Sequence, residues 1–398
     1  MNEQSGGNCA VIALSGKIDS GNAAQTEQQI MDQLAGKQPS EVVLNADALE
    51  YISSAGLRVI LRLKQKYPEV RIINARPEVY EILEITGFTE MMPVGKAYRV
   101  VSVEGCKLIG EGYSGRVYRI DRETVVKVYK NAVDPEEIRQ GQEISRLALV
   151  LGLPTAISYD VVRVGDSYGS VFELLNARSF AEVLAEEPER LDWCVKEYVG
   201  LLKKVHSIVA PKGKLPSIKK CAVEKAESIK DDLPDGLGEK LLHMICRIPE
   251  SDHLTHGDYH TKNIVLSGDE VLLIDMDNLS TGHPIFELAQ MYKSFVGFSE
   301  YNPEIVHEFQ GYPADIAREF WKRSRDSYLA PLSELEIEEI EEKVRCVAYA
   351  ELIEWKKRSG SLDSEEDRAT MKLWRDNLVS LLRKHDSLLI DLPALEAE

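Results

Sequence analysis

HGDYHTKNIVLSGDEVLLIDMDN, residues 256–278, places an Asp, an Asn and a second Asp within about twenty positions, with two apolar runs between them. Asp258 and Asn263 stand at the two ends of a polar loop. The runs IVLS and EVLLI then read as a two-stranded hairpin, turning at Ser267 and Gly268, that brings Asp275 back beside Asn263. Oxygen donors on adjacent strand ends suit Mg²⁺, a hard cation that shares its shell with phosphate oxygens. Asp258, offset from that pair, is placed to accept the proton of an attacking hydroxyl. The plain alternative is that Asp258 caps a turn while Asn263 and Asp275 merely terminate strands.

Upstream, IGEGYSGRVYRI carries Gly110, Gly112 and Gly115 in GxGxxG order, followed by Val117 and then by VVKVYK with Lys127. Such a loop alone also fits a dinucleotide-binding turn or an ordinary β-turn. Here RVYRI continues as a strand and a second strand follows, so the glycines belong to a hairpin that can lie over phosphate oxygens, with Lys127 to neutralise them. Lys127 lies between Val126 and Val128, which must face the other way along a strand. A lysine directed into a cleft needs a counter-charge. The helix predicted at 135–151 offers Glu143, with Glu137 as a substitute.

Around these motifs, 398 residues imply two or three domains of roughly 100–200 residues each. The formal net charge of −18 disfavours nucleic acid and anionic membrane as partners and would steer a cationic substrate favourably. Six widely spaced cysteines lack CxxC or zinc-ligand spacing and are expected to be reduced and mostly buried. The N-terminus has no basic segment ahead of an apolar core. The longest apolar stretch, LALVLGLPTA, is shorter than a membrane span of about 20 residues, so a cytoplasmic location is expected.

Between residues 9 and 102, CAVIAL, EVVLNA and VRIINA alternate with AAQTEQQIMDQL, SSAGLRVILRLKQKY and PEVYEILEITG, the pattern of a small α/β sheet closed by AYRVVSV. Only Glu104 and Gly105 connect it to the next apolar pattern. The chain from 106 to about 175 is strand-rich around one helix, and beyond Ala177 it is mostly helical. The Glu-rich run at 332–345 keeps Leu335, Ile337, Ile340 and Val344 near helical spacing, which makes its acidic side a solvated face. The expected fold class is therefore α/β followed by α+β: a domain at 1–104, a β-rich lobe at 105–177 and a helical lobe at 178–398.

The stretch from about 106 to 385 resembles the aminoglycoside phosphotransferase and choline kinase branch of the protein-kinase-like fold. In that branch the pattern HxDxxxxN, matched by His256, Asp258 and Asn263, implies a catalytic Asp and a metal-binding Asn. The following IDxD implies a second metal ligand at Asp275. The resemblance makes VFELLNA, residues 171–177, the hinge between lobes, where backbone near Glu173 to Leu175 would hold adenine. GHPIFELAQM is similar to the family segment with Asp before Leu-Ala, and here Glu287 takes that place. ATP and Mg²⁺ are thus the implied cosubstrate and metal, with a small-molecule hydroxyl as acceptor.

The first hundred residues resemble a STAS domain of the anti-sigma-factor-antagonist type through LSGKID, YISSAGLRVIL and PEVYEILEITGF, which implies a protein partner. The family's phosphorylated Ser or Thr corresponds to Ala55, and the Asp usual two residues earlier to Ser53, so phosphorylation at that place is impossible. Ser54, adjacent to it, reads as a helix cap, with a phosphorylation site as the alternative. Two rivals are a Ser/Thr protein kinase and a nucleotide-sensing module. Protein kinases carry an Arg where Gly257 stands and a long activation segment, for which GHPIFELA arrives too soon. The tryptophans, Trp193, Trp321, Trp355 and Trp374, are expected to fill the core, with a face for a quaternary ammonium as the alternative.

Overall fold

The structure, a computed structural model, describes residues 9–37, 39–112, 115–130, 133–360 and 364–393. They fall into two compact units, one of residues up to 102 together with 162–166, the other of 103–161 and 167–398.

In the first unit, strands β1 (Cys9–Ile18), β2 (Glu41–Ile52), β3 (Val70–Ala75) and β4 (Val94–Lys96) form a parallel sheet in the order β1-β2-β3-β4. Parallel strands need long crossovers, and helices α1 (Ala23–Leu34), α2 (Ser54–Lys66) and α3 (Pro77–Ile85) supply them. Val42, Val43 and Leu44 are all buried, as the unbroken apolar run of a covered parallel strand requires. The expected closing strand at 97–103 is corrected. Val94–Lys96 already pairs with β3, and Arg99–Val100 pairs instead with Val162–Arg163. The cap of α2 also moves by one residue: Ser53 accepts the Ala55 N–H at 3.2 Å, and Ser54 is the first helical residue.

The second unit opens with antiparallel strands Lys107–Glu111, Gly115–Arg119 and Thr124–Tyr129, against which Ser167–Glu173 also pairs. Helix Pro135–Val150 starts at an Asp134 cap and a Pro at its first position. Further on, the hairpin Ile264–Ser267 and Glu270–Leu273 turns at Gly268 and Asp269, one residue later than expected, with Gly268 at φ +61°. Helices Ile285–Phe295 and Glu334–Arg358 are among those that enclose the apolar core of the helical part. Trp321 and Trp374 are buried there, whereas Trp355 is exposed. In the Glu-rich helix, Ile337, Ile340 and Val344 are buried, but Leu335, two residues and so about half a turn before Ile337, is exposed on the other side. All six cysteines are free, yet only Cys194 and Cys346 are buried, so most are not the core residues expected. Among the described residues, no helix is long and apolar enough to cross a membrane.

Gly56 on α2 lies so close to the sheet that a Cβ there would meet side-chain carbons of Ile18 and Ile52 at 2.7 Å. Gly56→Ala is therefore expected to destabilise the first unit by about 1–3 kcal/mol. Hydrogen exchange should show faster exchange of β1, β2 and α2 amides, with the second unit unchanged.

Candidate active site

The hairpin places Asn263 and Asp275 at neighbouring strand ends, where the Ile274 N–H donates to the Asn263 carbonyl at 2.9 Å. Asn263 is buried, and its amide nitrogen donates to the Asp258 carbonyl at 3.0 Å and to Asp258 Oδ2 at 3.2 Å. The loop from Asp258 to Asn263 is thus closed on itself, and among the described residues no donor reaches Asn263 Oδ1. Asp258 keeps 41% of its side chain exposed. Burial pushes its carboxyl up, but His260, with Nε2 3.4 Å from Oδ2, then His256 and Lys293 outweigh that and hold it down at about 2. Asp258 is therefore a carboxylate, able to accept a hydrogen bond from a hydroxyl, throughout the neutral range.

Beneath this loop lies Glu287, fully buried on helix Ile285–Phe295. Its two carboxylate oxygens accept the backbone N–H groups of His256 and Gly257, the latter at 3.0 Å. The longer side chain in place of Asp thus still carries a loop-holding contact. Gly257 has φ +78°, and a Cβ on it would meet the Asn278 carbonyl oxygen at 2.5 Å. Only glycine fits both demands. An arginine, which a protein kinase would place here, has no room.

Lys127 is directed as alternation predicts: Val126 is buried on the opposite face, and Val125 lines the same cleft as the lysine. Its ammonium lies 2.7 Å from Asp275 and 2.9 Å from Asp277. Burial works against the charged form, but these two carboxylates outweigh it and raise the lysine pKa above its ordinary value. Asp277, in turn, is raised by its own burial, which the lysine only partly offsets. Asp275 itself sits at φ 62°, ψ 60°, a left-handed conformation that costs a non-glycine residue about 1–3 kcal/mol and clusters at functional sites.

The expected Lys127–Glu143 pair is absent. Glu143 is exposed and bonded to Arg139 on its own helix. The inward face of that helix is set by Ile138, Gln142, Ser145 and Ala148, and Glu143 falls a third of a turn outside it. Glu137 is likewise exposed.

Strands, hinge and hairpin enclose a cleft of about 450 Å³. Gly110, Gly112, Gly115 and Val117 line its roof, Glu173 and Leu175 its hinge edge, and Lys127 and Asp275 its inner end. Tyr113 and Ser114, between Gly112 and Gly115 in sequence, lie outside the described residues. Of the three glycines, Gly115 is the one under steric demand, since a Cβ would meet the Val128 carbonyl oxygen at 2.5 Å. At the hinge, the Glu173 N–H donates to the Ile157 carbonyl and the Leu174 N–H to that of Glu123. Glu173 is further committed by its carboxylate, which accepts the Ile157 N–H at 2.7 Å. The Leu175 N–H has no partner among the described residues and is the donor available to a ligand.

Sequence reasoning did not single out Asp277 as a lysine partner or His260 as the neighbour of Asp258. The repeated acid in IDMD was the available signal for the first; nothing but proximity in the loop pointed to the second.

Asn263 Oδ1 and the Asp275 carboxylate are hard oxygen donors on rigid strand ends and so fit Mg²⁺. Among the described residues, no group of three or more His, Cys, Asp or Glu could hold a metal. Asn263 and Asp275 are the residues that would hold the cation.

Comparison with known proteins gives two family matches: "Phosphotransferase enzyme family" over residues 105–322, and "STAS domain" over residues 2–101. The putative anti-sigma factor antagonist BtrV of Bordetella bronchiseptica is 38% identical over 91 residues, which cover 22% of this chain and 78% of that protein. The anti-sigma F factor antagonist of Paenibacillus polymyxa is 27% identical over 88 residues, 21% of this chain and 75% of its own. Among solved structures, a thermostable mutant of aminoglycoside phosphotransferase APH(4)-Ia in its apo form aligns with a TM-score of 0.47 at 13% identity. That alignment covers 70% of this chain and 94% of that one.

Removing the Glu287 carboxylate strands two N–H groups, that of buried His256 and that of half-buried Gly257. Glu287→Ala should cost about 2–4 kcal/mol. Urea unfolding followed by tryptophan fluorescence reads this directly, because all four tryptophans lie in the second unit.

Proposed function

We propose, from the premise that this chain belongs to the phosphotransferase enzyme family through residues 105–322 and carries an N-terminal STAS domain, that it transfers the γ-phosphoryl group of ATP to a hydroxyl of a small molecule. The observation that carries this reading is the meeting, at the inner end of one cleft, of Lys127 from a strand with Asp275 from the hairpin that also bears Asn263.

Phosphoryl transfer asks little covalent work of the protein, so positioning and charge neutralisation dominate. The adenine packs between the apolar walls Val117, Val125, Val265 and Ile274, with the Leu175 N–H donating to its ring edge. The strand Gly115–Arg119 lets backbone approach the phosphates, because Gly115 carries no side chain. The Lys127 ammonium neutralises phosphate charge. At an effective dielectric near 20, one such contact at 4 Å is worth about 4 kcal/mol before desolvation. Asn263 and Asp275 are the residues that would hold Mg²⁺, whose chemistry there is to offset charge on the phosphate oxygens. Asp258, kept ionised, accepts a hydrogen bond from the acceptor hydroxyl and orients it for attack.

The acceptor reading favours a small molecule over a peptide. Between Asp275 and the helix that starts at Ile285 there are nine residues, occupied by a short turn and the strand Ser280–Thr281. No segment is available there to form a peptide platform. For the first unit, the likeness to anti-sigma factor antagonists supports docking of a protein partner, with Ala55 removing the acceptor hydroxyl at the family's phosphorylation position.

The test is ADP release by the purified full-length protein with ATP and Mg²⁺, across a panel of amino alcohols, sugars, aminoglycosides and candidate protein partners. Acceptor-dependent ADP release with a small alcohol is expected. Turnover with proteins alone would overturn the small-molecule reading, and nucleotide binding without any turnover would leave a sensing module. With an acceptor in hand, Asp258→Ala should lower kcat by about 10²–10⁴-fold while nucleotide affinity changes by less than about threefold.

A further inference from the structure

The lysine of a nucleotide cleft must be held in place by something that does not leave when phosphates and metal arrive. Here the backing helix, Pro135–Val150, has no carboxylate on its inward face: that face is Ile138, Gln142, Ser145 and Ala148. Its acids are turned elsewhere, Glu136 and Glu143 both onto Arg139. Gln142 is buried at the place where an inward acid would stand, and its Nε2 has no partner among the described residues. Opposite that face, Asp277 accepts from Lys127 at 2.9 Å. Gly141 faces this carboxylate, and a Cβ there would lie 3.3 Å from Asp277 Oδ1, so the helix carries no side chain at this point of approach.

We propose that Asp277 is the positioning residue for Lys127: the anchoring carboxylate comes from the turn after Asp275 and not from the backing helix. This inference rests on the phosphotransferase reading and deepens it, since it assigns separate duties to two acids that share one ammonium. Asp275 has the other oxygen-donor site beside it, at Asn263, and can turn to a cation. Asp277, two residues on in the turn Met276–Asn278, keeps the lysine aimed at the phosphates. The anchor and the metal-facing acid are then carried by one short segment, so the ion pair does not depend on where the helix lies.

Two carboxylates against one ammonium leave a net negative charge at the inner end of the cleft, which opposes an anionic ligand. Removing Asp277 therefore has two effects of opposite sign. The freed lysine charge binds diphosphate more tightly, and the same lysine is no longer aimed for transfer. Damage to the fold would weaken both together.

The experiment measures ADP binding by calorimetry in a chelating buffer, and kcat with ATP, Mg²⁺ and the acceptor found above. Asp277→Asn is expected to bind ADP at least threefold more tightly than the wild type while kcat falls at least tenfold. Asp277→Glu, which keeps the carboxylate, is expected to stay within threefold of wild type in both. Parallel weakening of binding and turnover in a folded Asp277→Asn protein, no change in either, or the same split in a folded Asp277→Glu protein would overturn the inference. So would the split appearing in Glu143→Gln, which would return the anchor to the helix. If the Asn variant does not fold, the Glu variant decides. A wild type that binds no ADP sinks the phosphotransferase reading itself, whereas a wild type that binds and turns over beside an unaffected Asp277→Asn sinks only the assignment of Asp277.

Discussion

The shared ion pair of Lys127 with Asp275 and Asp277 is the contact on which the candidate site depends. It ties a strand of the β-rich part to a turn that follows the hairpin of the helical part, across 148 residues of chain. The lysine keeps only 13% of its side chain exposed, so an unpaired ammonium there would carry a large desolvation cost. The two acids have the matching difficulty, since each raises the energy of the other's charge. Three groups that are unfavourable singly become tolerable together. This is why the inner end of the cleft has a defined arrangement before any ligand is bound.

A second constraint acts on the loop from His256 to Asn263. Its backbone is held from below by Glu287, through two N–H donors, and closed above by the Asn263 amide onto Asp258. With both ends tied, the Asp258 carboxylate has little freedom other than toward the open side. His260 holds it ionised at the same time. The strained backbone of Asp275 and the close approach of Gly257 to Asn278 belong to the same tightly folded segment. The candidate site is concentrated where the backbone has the least latitude.

The N-terminal unit obeys different physics. Its parallel sheet is held by apolar burial along β2 and by the close seat of α2 at Gly56. At the start of that helix the chain presents Ser53, Ser54 and Ala55, with one serine committed to capping. Ala55 has no hydroxyl that could accept a phosphoryl group at that position.

Much of this was legible in the residues alone. The hairpin that sets Asn263 beside Asp275, the direction of Lys127 and the order of strands and helices follow from spacing of two or of three and four residues, which is local chain geometry. The sequence by itself determined which side chains could serve and in what order they come. Only the tertiary structure decided who holds Lys127, because a helical acid one place off the packed face, such as Glu143, looks the same in a string of letters as one on it. It likewise decided that Glu287 reaches two loop amides and that most cysteines stay near water. Those outcomes depend on which surfaces meet across long stretches of chain, and no local periodicity encodes that meeting.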